Sequence, residues 1–223
     1  MSMTTTTTQV DFKEPRGSLS ATSSTSTQTE ISIHDVDGHE IYRSTRDRRW
    51  SGNSVLSHPK RGDLIRTEYF FGPNRDPVLR LLQSANVAPH ELQVTGKWAS
   101  RSARFTVPHG REFEWSYAKE KRADGRKIKY IVLRALGDVR DGEKMQWDRR
   151  VAQLARCPET RTPGTSRCSA GNGGQLQIDR AALQTLEIDE SVVVATLLVM
   201  LKREIDRRRI IQTAVITGGG GGG

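Results

Sequence analysis

The sequence predicts a mainly β fold, in which an antiparallel meander forms a closed or partly closed barrel around an apolar C-terminal helix. Short strand-like segments separated by turn signals occupy most of the chain. One apolar run, VVVATLLVML at 192–201, follows them near the end. Helical patterns do not alternate with the strand segments, which disfavours a doubly wound nucleotide-binding fold.

The predicted strands share a short apolar or alternating pattern that is bounded by glycine, proline, asparagine or aspartate. The clearest turn signals are Asp37-Gly38, GPNRDP at 72–77 and Asp124-Gly125. Spacing of this kind is typical of a sandwich or barrel built as a meander. We expect strands near residues 31–33, 41, 64–71, 78–82, 98–107, 113–117, 127–136, 151–155 and 175–178.

Phe113, Trp115 and Tyr117 occupy alternate positions and therefore share one face of their predicted strand. Aromatic side chains at this density suit a protein core better than a surface that stacks bases. We therefore assign these three residues to the core.

The closing helix is predicted over about 188–209. Asp189 and Glu190 precede the apolar run and several arginines follow it, so both ends complement the helix dipole. A helix that is apolar on every face must be enclosed, and this run is half the length that a bilayer requires. We expect the strands to enclose it and the charged residues after Leu201 to emerge into water.

Three regions follow from composition. Residues 1–29 are rich in serine and threonine and are predicted to form a disordered leader. Residues 30–211 form the predicted β domain, with its central helix at about 188–209. Residues 212–223 end in a glycine run and are predicted to be a flexible tail.

The formal net charge of +9 favours anionic partners. Between residues 97 and 134 eleven cationic residues face four anionic ones, so much of this excess lies in one predicted hairpin. We define the basic hairpin by the cations around its Asp124-Gly125 turn, which are the candidates for binding lipid headgroups. Lysines at such a tip also block unwanted edge pairing, which is the alternative interpretation. The candidates are Lys119, Lys121, Arg122, Arg126 and Lys127.

No pattern indicates catalysis, so we predict neither an enzyme, a cofactor nor a metal site. The HDVDGH segment at 34–39 offers metal ligands around one turn, but aspartate and glycine favour turns for backbone reasons alone. The glycine-rich loop at 171–174 lacks the lysine and following helix of a phosphate-binding loop. We interpret it as a surface loop.

Cys157 and Cys168 do not form a disulfide framework, and their spacing fits no common zinc pattern. The first ten residues lack the charged and apolar regions of a signal peptide. We therefore expect a cytoplasmic protein, with the membrane periphery and the nucleus as further locations, and no transmembrane segment.

Three stretches resemble a group of uncharacterised fungal proteins with tubby-like, LURP-one-related domains. They are KWASRSARFTVPHGREFEWSYAKE at 97–120, RTPGTSRCSAGNGG at 161–174 and DESVVVATLLVMLKREIDRRR at 189–209. The resemblance covers about residues 30–211 and implies a β-barrel around a central helix. It also implies phosphoinositide binders and scramblase-like proteins as functional relatives, but assigns no lipid-binding residue here. The sequence shows fewer clear strands than a complete barrel of that family needs.

Three hypotheses about function remain open. The first is a non-enzymatic module that binds anionic phospholipid headgroups through the basic hairpin. The second is a protein-interaction scaffold without a lipid role. The third is a basic nucleic-acid-binding domain, although no helix-turn-helix, zinc-finger or RNA-recognition signature is present.

Overall fold

A computed structural model describes residues 5–11, 29–48, 51–72, 75–82, 90–96, 101–121, 125, 127–137, 149–156 and 174–218. The described residues form twelve strands and two helices, which confirms a mainly β, antiparallel fold. The strands are β1 Thr5–Asp11, β2 Thr29–His34, β3 Glu40–Arg46, β4 Ser54–His58, β5 Gly62–Glu68, β6 Val78–Leu81, β7 Glu91–Gln93, β8 Ala103–Thr106, β9 Glu112–Lys121, β10 Lys127–Ala135, β11 Arg149–Arg156 and β12 Gly174–Asp179. The helices are α1 Arg180–Leu186 and α2 Glu190–Gly218.

The strands form two antiparallel groups, β2 to β7 and β8 to β12, in which neighbours in sequence are neighbours in space. Strand β1 lies between β2 and β12 and joins the groups. At the outer strands of the two groups, Thr95 and Arg104 exchange two backbone hydrogen bonds of 2.8 Å. Because this contact is an isolated bridge, a closed barrel is not found among the described strands.

Strand β1, at residues 5–11, lies inside the stretch that the sequence assigned to a disordered leader. Threonine is β-branched and suits a strand when neighbouring strands satisfy its backbone. Here β12 pairs with one edge of β1 and β2 pairs with the other. Residues 12–28 of the predicted leader lie outside the described residues.

Further differences from the sequence prediction concern short elements. Strands β4 and β7 and helix α1 carry no clear periodic signal, and the sequence did not predict them. The predicted strand at 64–71 ends earlier, at Glu68, and residues 69–71 lie in a loop. Helix α2 continues to Gly218, so residues 212–218 are helical and not part of a flexible tail.

The apolar run at 192–201 is buried on every face, as predicted. It belongs to one hydrophobic cluster with inward-facing residues from strands of both groups, including Ile33, Leu79 and Leu176. The indole Nε1 of Trp115 donates a hydrogen bond of 3.0 Å to Oγ1 of Thr196 within this core. The first turns of α2 are therefore held both by packing and by a buried polar contact.

Helix α2 as a whole is not apolar, and it does not enter water after Leu201. Lys202, Glu204 and Asp206 are buried, with 4%, 6% and 4% of their surface exposed. The expectation that the charged residues after Leu201 emerge into water is therefore wrong for these three, and the helix becomes exposed only from Ile211. The physical reason is that partners on α2 and on the surrounding strands neutralise these charges inside the fold.

Candidate functional site

The charged part of α2 lies at one end of the β structure, which we call the mouth. Strands β3, β5 and β9 all end there, and the turn between β2 and β3 lies at the opposite end. An open cleft of about 610 Å³, including the space at its opening, lies at this mouth. Its lining includes Tyr69, Phe70, Tyr117, Arg203, Glu204 and Asp206.

Lys202 and Asp206 form a buried ion pair one helical turn apart. The Nζ atom of Lys202 lies 2.6 Å from Oδ1 and 2.8 Å from Oδ2 of Asp206. The same Nζ atom lies 5.0 Å from the centre of the Tyr69 ring. Burial lowers the pKa of Lys202, although Asp206 opposes that shift. The charge of Lys202 is therefore stabilised mainly by Asp206 and by the Tyr69 ring, and less by water.

Glu204 is the second buried carboxylate, and two arginines hold it. Its Oε2 atom lies 2.7 Å from Nη1 of Arg156 in β11, and its Oε1 atom lies 2.8 Å from Nη2 of Arg208. Burial by itself would raise the pKa of Glu204, but the charge and hydrogen bond of Arg156 lower it overall. The carboxylate thus links α2 to the wall of the mouth.

Arg203 attaches α2 to the opposite wall. Its Nη2 atom lies 2.8 Å from Oδ1 of Asp76 and donates to the carbonyl oxygen of Val94 at 2.9 Å. Each carboxylate that lines the cleft is therefore already paired with a cation. Arg75, Arg101 and Arg207 also line the cleft, so its unneutralised charge is positive.

Arg46 adds a further positive charge beneath the mouth. It is 9% exposed, and its Nε atom is buried without a hydrogen-bond partner among the described residues. Burial lowers the pKa of Arg46, while the negative charge of Asp206 opposes the shift. Asp206 therefore offsets two buried positive charges, those of Lys202 and Arg46.

Two tyrosines complete the wall. Burial raises the pKa of Tyr69 and of Tyr117 well above the ordinary value of 10.0, and Asp206 and Glu204 respectively raise them further. Both hydroxyl groups therefore stay protonated at physiological pH. The site offers cations that can bind anions, and its tyrosines are not poised to act as bases.

We expect Glu204→Gln to lower the free energy of unfolding at pH 7 by about 1–3 kcal/mol, because its charged hydrogen bonds weaken. The folded pKa lies below the ordinary 4.5, so this stabilisation is complete above that value and is lost as pH falls through the folded pKa. Urea unfolding from pH 7 to pH 3 should show the difference between the parent and the variant shrinking. A difference that does not change with pH contradicts the prediction.

The basic hairpin extends from the same mouth. In its register Lys119 lies opposite Lys129, and Lys121 lies opposite Lys127. Lys119, Lys121 and Lys129 are exposed and form no ion pair with any residue that the structure describes. Arg122 and Arg126, the other predicted headgroup ligands, lie outside the described residues, as does Asp124. The structure thus brings lysines from both strands together beside the cleft.

Sequence reasoning found the basic hairpin but missed the buried charges of α2. The available signal was the spacing of four residues that separates Lys202 from Asp206 and Glu204 from Arg208. That spacing is equally typical of an exposed helix, so it does not by itself predict burial.

The turn between β2 and β3 brings together one ligand atom each from Asp35, Asp37 and His39, all within 4.8 Å of one another. The Asp35 carboxylate accepts backbone N–H groups of Asp37 at 3.0 Å and His39 at 2.8 Å. These hydrogen bonds are what an aspartate-initiated turn requires. The cluster is therefore explained by the backbone.

Comparisons with protein families, with curated proteins and with solved structures find no match to this chain. None of the described helices combines the length and the apolar character needed to cross a bilayer.

Proposed function

We propose that this chain is a non-enzymatic binding module that associates with anionic phospholipid headgroups through its basic hairpin. The supporting observation is the lysine register, in which Lys119 faces Lys129 and the next pair in the same direction is Lys121 and Lys127. Like charges directly opposite one another on paired strands are destabilising. An anionic partner relieves that repulsion.

The surroundings of these lysines support the same proposal. The carboxylates lining the neighbouring cleft are already paired with Lys202, Arg203, Arg156 and Arg208, so they do not neutralise the hairpin. Near an anionic membrane each lysine contributes on the order of 1 kcal/mol. Several lysines at one end of the molecule therefore suit a charged surface.

A nucleic-acid partner is less favoured. Phe113 and Trp115 are completely buried, so they offer no surface on which bases can stack. Tyr117 is partly buried at the cleft, and the Arg101 guanidinium lies 5.8 Å from its ring centre. Binding to single strands depends on exposed aromatic faces as well as on charge, and these three aromatic residues of the hairpin region do not supply such faces.

The proposal includes a tubby-like architecture, in which the Thr95–Arg104 bridge closes the strand order into a barrel around the first half of α2. The twelve-strand order and the burial of residues 192–201 support it. Hydrogen exchange at the amides of Thr95 and Arg104 tests closure, because both amides donate within the bridge. Exchange as fast as in an exposed loop contradicts closure.

The binding proposal predicts that Lys119→Gln with Lys129→Gln weakens binding to vesicles containing phosphatidylserine by about thirtyfold. Sedimentation with phosphatidylcholine vesicles, with and without phosphatidylserine, measures this effect. The matched control is Lys60→Gln with Arg66→Gln, which removes two exposed cations at other positions. We expect the control variant to bind nearly as well as the parent.

Equal sedimentation of the parent with neutral and anionic vesicles contradicts the proposal. Equal losses in the two double variants also contradict it, because they indicate a response to net charge alone. In that case the lysines serve to protect an edge, since among the described residues β8 pairs with β9 only from Glu112 to Trp115.

A further inference from the structure

Two neighbouring phenylalanines, Phe70 and Phe71, are exposed at the mouth. Their exposed fractions are 44% and 58%. They follow β5 directly, and Phe70 lines the same cleft as Tyr117 and Arg207. The aromatic pair and the basic hairpin therefore occupy the same end of the molecule.

The base of this loop is fixed. The backbone N–H of Tyr69 donates to Oδ1 of Asn53 at 2.8 Å, and its ring packs against the core and beneath Lys202. The Tyr69 ring also lies so close to Gly52 that a Cβ atom at residue 52 would overlap with it. Tyr69 therefore fixes the start of the loop against the core, and Phe70 and Phe71 lie exposed after it.

The other end of the molecule offers a contrast. The exposed large apolar residues there, Val36 and Leu82, lie in separate loops. Single exposed apolar residues need no special explanation, but an adjacent aromatic pair beside unneutralised cations combines two elements of membrane recognition. Aromatic rings favour the boundary between headgroups and acyl chains.

We propose that Phe70 and Phe71 insert into the interfacial layer of a bilayer while the neighbouring lysines bind its anionic headgroups. This inference rests on the proposed function and adds an apolar component to it. It commits to a lipid surface, because a bilayer offers both anionic headgroups for the lysines and an apolar layer for the rings. Peripheral binding of this kind commonly requires two signals, of which charge supplies one and insertion the other.

The first test compares Phe70→Ser with Phe71→Ser in one variant against a control carrying Val36→Ser and Leu82→Ser. Both variants are first checked for an unchanged melting temperature. With phosphatidylserine-containing vesicles we expect the phenylalanine variant to bind about tenfold more weakly than the parent and the control to match the parent. High salt should abolish binding of the phenylalanine variant and leave the parent with residual binding, because salt screens charge but not insertion.

A second test reports insertion directly. Phe71→Trp and Val36→Trp each add one tryptophan to the same background of four. Brominated phosphatidylcholine mixed with phosphatidylserine quenches tryptophans that reach the bilayer. We expect extra quenching for Phe71→Trp and none for Val36→Trp.

The possible outcomes separate the two proposals. If the parent does not prefer anionic vesicles, the proposed function and the insertion both fail. If the parent prefers them but Phe70→Ser with Phe71→Ser binds equally well, or quenching is equal in the two tryptophan variants, only the insertion is wrong.

Discussion

Replacing Asp206 with alanine is expected to lower the free energy of unfolding by about 3–5 kcal/mol. The substitution leaves the ammonium group of Lys202 buried without the carboxylate that lies 2.6 Å away. It also removes the negative charge that offsets the buried guanidinium of Arg46. Urea unfolding monitored by circular dichroism measures the loss.

The control for this prediction is an ion pair at the surface. Glu68 lies 3.0 Å from Arg80, but the Arg80 side chain is 45% exposed. Glu68→Ala should therefore cost no more than about 1 kcal/mol. Equal losses of unfolding free energy in Asp206→Ala and Glu68→Ala would show that burial does not make the Lys202–Asp206 pair more important for stability than a surface ion pair.

A double variant separates the loss of attraction from the burial of an unpaired charge. Lys202→Met with Asp206→Ala removes both members of the pair, so no uncompensated ammonium group remains. We expect it to be more stable than Asp206→Ala alone, because only the Arg46 guanidinium, and not the Lys202 ammonium group as well, then lacks the charge of Asp206. A double variant less stable than the single one contradicts this explanation.

Replacing Trp115 with alanine is expected to cost about 3–5 kcal/mol. Trp115 is completely buried, and its removal leaves a cavity between β9 and α2. Thermal and urea unfolding measure the effect. Phe71→Ala is the control, since that ring is exposed and its loss should change stability by at most about 0.5 kcal/mol.

A separate variant tests the hydrogen bond between Trp115 and Thr196. Thr196→Val keeps the volume of the side chain but removes the acceptor for the indole N–H of Trp115, which then has no partner inside the core. We expect a cost of about 1–3 kcal/mol. Equal stability of Thr196→Val and the parent would show that the hydrogen bond between β9 and α2 contributes nothing net.

Several strands were predictable because their patterns are local. The alternation of Ile31 with Ile33 and of Phe113 with Trp115 reappears as buried, inward-facing side chains. The threonine-rich segment at 5–11 was not predictable as a strand, because its pattern lacks an apolar face. It becomes a strand through backbone hydrogen bonds to β2 and β12, which are distant in sequence.

The candidate site also has one part that was predictable from local sequence and another part that was not. The lysines of the basic hairpin follow from charge and from a turn signal, both of which are local. The cleft does not, because Tyr69, Tyr117 and Arg203 come from three separate elements. The exposed phenylalanines were also hidden, since LIRTEYFF reads as one continuous strand and gives no sign that the strand ends at Glu68.

Local sequence patterns were sufficient to predict the antiparallel β character of this protein, the burial of residues 192–201 and the concentration of positive charge in one hairpin. Each depends on hydrophobic periodicity or on charge within a short segment. Contacts between distant segments establish that β1 joins the two groups of strands, that Lys202, Glu204 and Asp206 of α2 stay buried, and that Phe70 lies beside the cations. These features depend on partners that folding brings from distant parts of the chain, and an isolated segment cannot show whether a charge will find its counterion.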